Sequence, residues 1–163
     1  MAKIELHPDF KDFLRLLNSE GVEYLVVGGY AVGYYGYPRA TGGLDVWIAI
    51  NETNAEKTAR AIRKFGMPGE QVTKDLFTSQ DRIIRMGLPP VRIEVITGAS
   101  GVEFTDCFSR RETADLDGVA VNLIPLPDLK ANKKAAGRHQ DLPNLRVCHL
   151  ECAGLTALFR APA

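Results

Sequence analysis

Two carboxylates stand inside runs that otherwise read as β-strands: Asp45 in LDVWI and Glu94 in RIEVI. A carboxylate is costly to remove from water unless it meets a cation or a hydrogen-bond donor. Alternation along a strand puts Asp45 and Trp47 on one face and Leu44, Val46 and Ile48 on the other. Arg92 and Glu94 are set apart from Val91, Ile93 and Val95 in the same way. Two acids on facing strands are oxygen ligands of the kind that hold Mg²⁺ (or Mn²⁺) against a nucleotide phosphate. The alternative for Asp45 is a solvent-facing carboxylate or an ion pair with Arg39.

The run VEYLVV ends in Gly28-Gly29. Glycine after a strand lets the backbone come close to a ligand, and a helix that follows offers free N–H groups to an anion. A strand that ends in two glycines is also an ordinary turn. Tyr30, Tyr34, Tyr35 and Tyr37 could stack a base, but packing accounts for them as well. Lys130, Lys133 and Lys134 fall on helix PDLKANKKAAGR as a basic face, solvated or turned to a phosphate. Cys148, His149 and Cys152 lie close together in what reads as a helix, and nothing completes a metal site around them.

These groups need elements to hold them. HPDFKDFLRLLNSEG predicts a helix with Phe10, Phe13, Leu14 and Leu17 on one face. Strands follow at VEYLVV and LDVWI, with a short helix or turn between them over 29–36. Asn51 or Thr53 caps a helix that Gly66 ends. DRIIRMG and VRIEVIT pair as strands across GLPP, and VEFTDCFSR is a short helix. Asp117-Gly118 turns a hairpin, LPDLKANKKAAGR is a helix, and 141–159 is a last helical region. The order predicts an α/β or α+β domain with a mixed sheet flanked by helices.

At 163 residues, with 45% hydrophobic and 25% charged, the chain suits a single globular domain. Lys plus Arg equals Asp plus Glu at 20 each, so no overall basic field draws it to nucleic acid or membrane. The charged N-terminus is not a signal peptide, no apolar run spans a membrane, and three cysteines suit reduced thiols in the cytoplasm.

In this order, GGYA at 28–31, GYPRAT at 36–41, LDVWI, RIEVIT and LPDLKANKKAAGR with HQDLPNL resemble the nucleotidyltransferase superfamily, the DNA polymerase β-like fold. The likeness covers residues 1 to about 147 and is closest to small bacterial stand-alone members. Residues 148–163 form an atypical tail, helical or self-associating, which leaves a homo-oligomer open.

The resemblance implies transfer of a nucleoside monophosphate from an NTP to a hydroxyl of a small molecule, an RNA end or a protein, with Mg²⁺ or Mn²⁺. Gly28 and Gly29 match the phosphate turn, Asp45 the second aspartate of an Asp-x-Asp pair, and Glu94 the third acid. Arg39 and Thr41 match the RAT pattern, counted with the nucleotide-binding positions, where Arg39 contacts a phosphate or pins the loop by hydrogen bonds, and Lys133 matches a lysine that can reach the nucleotide. Arg138 and Asp141 match a pair that ties the last helix down. The first aspartate falls on Gly43. Neither Asp75 nor Asp81 is placed to replace it. Losing one ligand takes a full negative charge from a hard-cation site. The rival expectation is therefore a catalytically impaired member that binds a nucleotide or a partner protein.

Overall fold

The computed structural model describes residues 4–37, 42–138 and 146–150, with the side chains of 138 and 146–149 left aside. Helix α1 spans Pro8–Ser19. Pro8 suits the first turn, where no N–H partner is needed, and His7 Nδ1 accepts from Asp9 N at 3.1 Å. Phe10, Phe13, Leu14 and Leu17 are its buried face, as the spacing predicts. Strand β1 is Tyr24–Val27, and α2 is Gly28–Tyr34. Strand β2 is Gly43–Ile48. Helix α3, Glu52–Phe65, is capped by Asn51 Oδ1, which accepts from Asn54 N at 2.8 Å, and ends at Gly66.

A 3-10 turn over Lys74–Phe77 leads to β3, Arg82–Met86, and β4, Arg92–Ile96. Helix α4, Phe104–Ser109, precedes the hairpin of β5, Glu112–Leu116, and β6, Val119–Leu123. Asp117 and Gly118 both take positive φ, 52° and 86°, the geometry a tight two-residue hairpin turn demands. Helix α5 is Leu126–Arg138 and β7 is Arg146–Leu150.

Among the described residues, seven strands form one mixed sheet in the order β5-β6-β1-β2-β4-β3-β7. Strand β2 runs parallel to β4 and antiparallel to β1, and β3 runs antiparallel to β4. Leu44, Val46, Ile48, Ile84, Met86, Ile93 and Val95 are buried in a single core with the apolar residues of α1 and α3. On the other face of β2, Trp47 meets Phe104 of α4 edge-on at 5.2 Å. Among the described residues no helix is long and apolar enough to cross a membrane.

One element departs from expectation. Residues 146–150 are a strand, not part of a helix, and they pair in parallel with β3 from Arg82↔Arg146 to Met86↔Leu150. The apolar spacing of this region fits a helix locally, but β3 would otherwise be an edge with a row of unpaired backbone groups. Pairing satisfies them and buries Leu150. The strand also crosses residue 147, where the domain was expected to end. The register sets Cys148 opposite Ile84 and His149 opposite Arg85, so the helical spacing expected of this pair does not hold.

Candidate functional site

Strand pairing builds the site. Val27 is the partner of Asp45 across β1 and β2, Asp45 of Glu94 across β2 and β4, and Glu94 of Arg85 across β4 and β3. Neighbouring strands lie about 4.8 Å apart and partnered residues share a face. Asp45, Glu94 and Arg85 therefore form one transverse row, on the face of the sheet turned away from Leu44, Val46, Ile93 and Val95. All three are half-buried.

Chain reversal from β1 into α2 places Gly28 against this row. Its φ is +69°, a conformation glycine adopts freely, and a Cβ there would lie 2.1 Å from Asp45 Oδ2. The Asp45 carboxylate fills the space that a side chain at 28 would need. Gly29 is buried within α2.

Glu94 is committed to cations that the chain itself provides. Arg85 Nε donates to Glu94 Oε1 at 3.0 Å, and Arg92 Nη2 approaches the same oxygen at 2.9 Å. Glu94 is only 14% exposed, against 28% for Arg85 and 30% for Arg92. Arg85 is the residue that reading the sequence missed. Its signal was available, because the alternation in RIIRM sets Arg85 apart from Ile84 and Met86. Only the β3–β4 register brings it to Glu94.

Gly43 pairs with Arg92 at the start of β2. Its φ is +154°, and a Cβ there would lie 1.9 Å from the Arg92 carbonyl oxygen and 2.8 Å from the carbonyl carbon. Backbone locked in a strand ladder cannot yield as a side chain can. The first-aspartate position thus has no room for an aspartate in this backbone.

The structure brings Gly28, Asp45 and Glu94 together. Lys133 is exposed on α5, a helix that meets α2. Arg39 and Thr41 lie outside the described residues, as does Asp141. Among the described residues no third acid, histidine or cysteine gathers with Asp45 and Glu94 into a possible metal cluster. Asp81 sits instead beside Gly98, and Asp75 lies on the 3-10 turn. The described donor set does not fit a pair of divalent ions. One position is sterically closed, and a second carboxylate already carries two guanidinium groups.

No family model and no curated protein matches the sequence. In three dimensions the chain is similar to the crystal structure of a "putative nucleotidyltransferase" from Thermotoga maritima. The TM-score is 0.59 at 15% sequence identity, covering 84% of this chain and 90% of that one. The fold is α+β and nucleotidyltransferase-like: a mixed sheet flanked by helices.

Proposed function

We propose that the chain binds a nucleoside triphosphate with its phosphates toward the Asp45–Glu94 row, and that the two-metal centre of a working nucleotidyltransferase is not assembled. The observation that carries this reading is at Gly43, where the Arg92 carbonyl occupies the space an aspartate side chain would need to enter. The nucleotidyltransferase-like fold supports a nucleotide as the ligand. So does the fit of Gly28 to Asp45, which keeps backbone and carboxylate in close contact where α2 begins. Arg39, Thr41 and Lys133 are the proposed phosphate contacts beyond the row.

A second reading is favoured by the side-by-side register of Asp45 and Glu94. In it Asp45 would hold a single Mg²⁺ or Mn²⁺ that would neutralise phosphate charge, while a hydroxyl of a small molecule, an RNA or a protein attacks the α-phosphate of the NTP, the α–β phosphoanhydride breaks and pyrophosphate leaves.

Melting curves with each NTP, in EDTA and in Mg²⁺, separate the two. A ligand that binds only the folded chain stabilises it by about 2.7 kcal/mol at a hundred times its Kd. For a chain of this size that raises the melting temperature by roughly 5–10 °C. A similar rise in EDTA and in Mg²⁺ is the expected outcome. A rise only with the metal, abolished by Asp45→Ala, selects the second reading. No rise with any nucleotide sinks both.

A further inference from the structure

Two guanidinium groups converge on one oxygen of Glu94 from different strands. Arg85 reaches it from β3, at 3.0 Å, and Arg92 from two residues earlier on β4, at 2.9 Å. Each guanidinium carries five N–H donors in a planar fork, and Glu94 takes one atom of each. Both arginines keep more than a quarter of their side-chain surface exposed. Each therefore has surface from which a second partner can be met.

The charges of the row, taken with neighbouring Arg92, add up differently from those of a metal site. Asp45 and Glu94 contribute two negative charges, Arg85 and Arg92 two positive ones, and the sum is zero. A divalent cation gains most from a surplus of carboxylate charge, and these four side chains offer none. They offer instead fixed guanidinium forks, which match phosphate oxygens two at a time.

We propose that Arg85 and Arg92 form a metal-independent site for a diphosphate group, and that Glu94 is its internal occupant, which an incoming phosphate displaces or shares. The chain's own cations then do what a bound metal would do for the phosphate charge. This takes its location from the nucleotide reading but not its ligand chemistry, which pyrophosphate alone can test.

The test titrates the full chain with pyrophosphate and separately with ATP, each in EDTA and in Mg²⁺, by calorimetry. Pyrophosphate binding in EDTA that added Mg²⁺ does not tighten is the expected result. Glu94→Gln removes the competing charge and should tighten pyrophosphate about tenfold, while Arg85→Gln and Arg92→Gln should each weaken it about tenfold or more. Because all three side chains keep part of their surface exposed and none is among the apolar residues of the core, circular dichroism should show a folded chain. If one variant fails to fold, the others carry the same contrast. Pyrophosphate that binds only with Mg²⁺, or that binds Arg85→Gln and Arg92→Gln as well as the parent, overturns the proposal. So does the absence of binding to both parent and Glu94→Gln. Pyrophosphate binding without ATP binding would keep this site and remove the nucleotide reading. ATP that binds only with Mg²⁺, is lost in Asp45→Ala and is kept in Arg85→Gln would remove this site and select the second, metal-held reading of the nucleotide.

Discussion

Gly28 and Gly43 stand on either side of Asp45, one across the strand pair and one two residues before it, and neither has room for a Cβ. What fills the space differs. At Gly28 it is the Asp45 carboxylate, 2.1 Å from where a Cβ would sit; at Gly43 it is the Arg92 carbonyl oxygen, at 1.9 Å. A carboxylate can rotate or be removed, while the Arg92 carbonyl is backbone at the first rung of a parallel strand pair and leaves only if the strands part. Gly28 is a glycine because of a side chain with candidate chemistry. Gly43 is a glycine because of how two strands meet. The missing aspartate is therefore more than one lost side chain in an otherwise ready site, since the backbone at 43 has settled into a conformation that excludes it.

The sharpest way to break that contrast is Gly43→Asp. If position 43 were a simple deletion of a metal ligand, the change would restore Mg²⁺-dependent nucleotide binding at little cost to stability. The structure predicts the opposite. Positive φ costs of order 1–3 kcal/mol, and a clash with backbone adds to it, for a total of about 4 kcal/mol. A loss of that size lowers the melting temperature by roughly 8–16 °C. Gly43→Ala should lose nearly as much, because the conflict begins at Cβ. Thermal unfolding of the two variants, with and without Mg²⁺ and ATP, checks both points. A stable Gly43→Asp that gains metal-dependent binding would overturn the account of position 43.

Gly28→Ala is expected to be the next largest effect, about 2–3 kcal/mol, from the φ of +69° and the contact with Asp45. Here the cost should depend on the neighbour. In an Asp45→Ala background the nearest atoms, Oδ2 and Cγ, are gone, and the penalty should fall to about 1 kcal/mol for the backbone alone. A double-mutant cycle by urea denaturation measures the coupling. No equivalent rescue is available to Gly43, since no side-chain substitution removes the Arg92 carbonyl. Coupling near zero at Gly28 would make the two glycines alike.

Much of this was legible in the residues, and the rest was not, for reasons that are physical. The hairpin at Asp117-Gly118, the cap at Asn51 and the apolar face of α1 follow from local geometry and were read correctly. The adjacency of Asp45 and Glu94 was also within reach, because both interrupt apolar alternation. The alternation in RIIRM sets Arg85 apart, but its partnership with Glu94 was not legible, since it depends on a cross-strand register that no local pattern states. The closure of position 43 was hidden as well: glycine in a sequence tells of freedom, and only the partner strand tells what the freedom is used for. The strand at 146–150 was misread because five residues with apolar members suit a helix or a strand until a sheet edge chooses between them.

A third carboxylate calibrates the first two, because Asp128 lies away from the row. It accepts both Oδ1 and Oδ2 contacts from Arg110 Nη2, at 3.0 and 3.1 Å, beside Cys107. Burial pushes the Cys107 thiol up from its ordinary 9.0 to about 11, with the Asp128 charge adding to the effect. The folded chain thus favours the protonated thiol. Its contribution to stability is complete below pH 9 and is lost as pH rises from 9 toward 11, where the unfolded chain gives up the proton first. At pH 8 the thiolate fraction should be about 100-fold smaller than in the unfolded chain, and iodoacetamide labelling slower by at least that factor. Peptide mass mapping distinguishes Cys107 from the other cysteines. Labelling should speed up most in Gly43→Asp, less in Gly28→Ala and hardly at all in Asp45→Ala, because opening of the core follows lost stability rather than lost charge. Labelling that followed Asp45 instead would mean that the row and the core are coupled, and that Gly28 reports on more than its own contact.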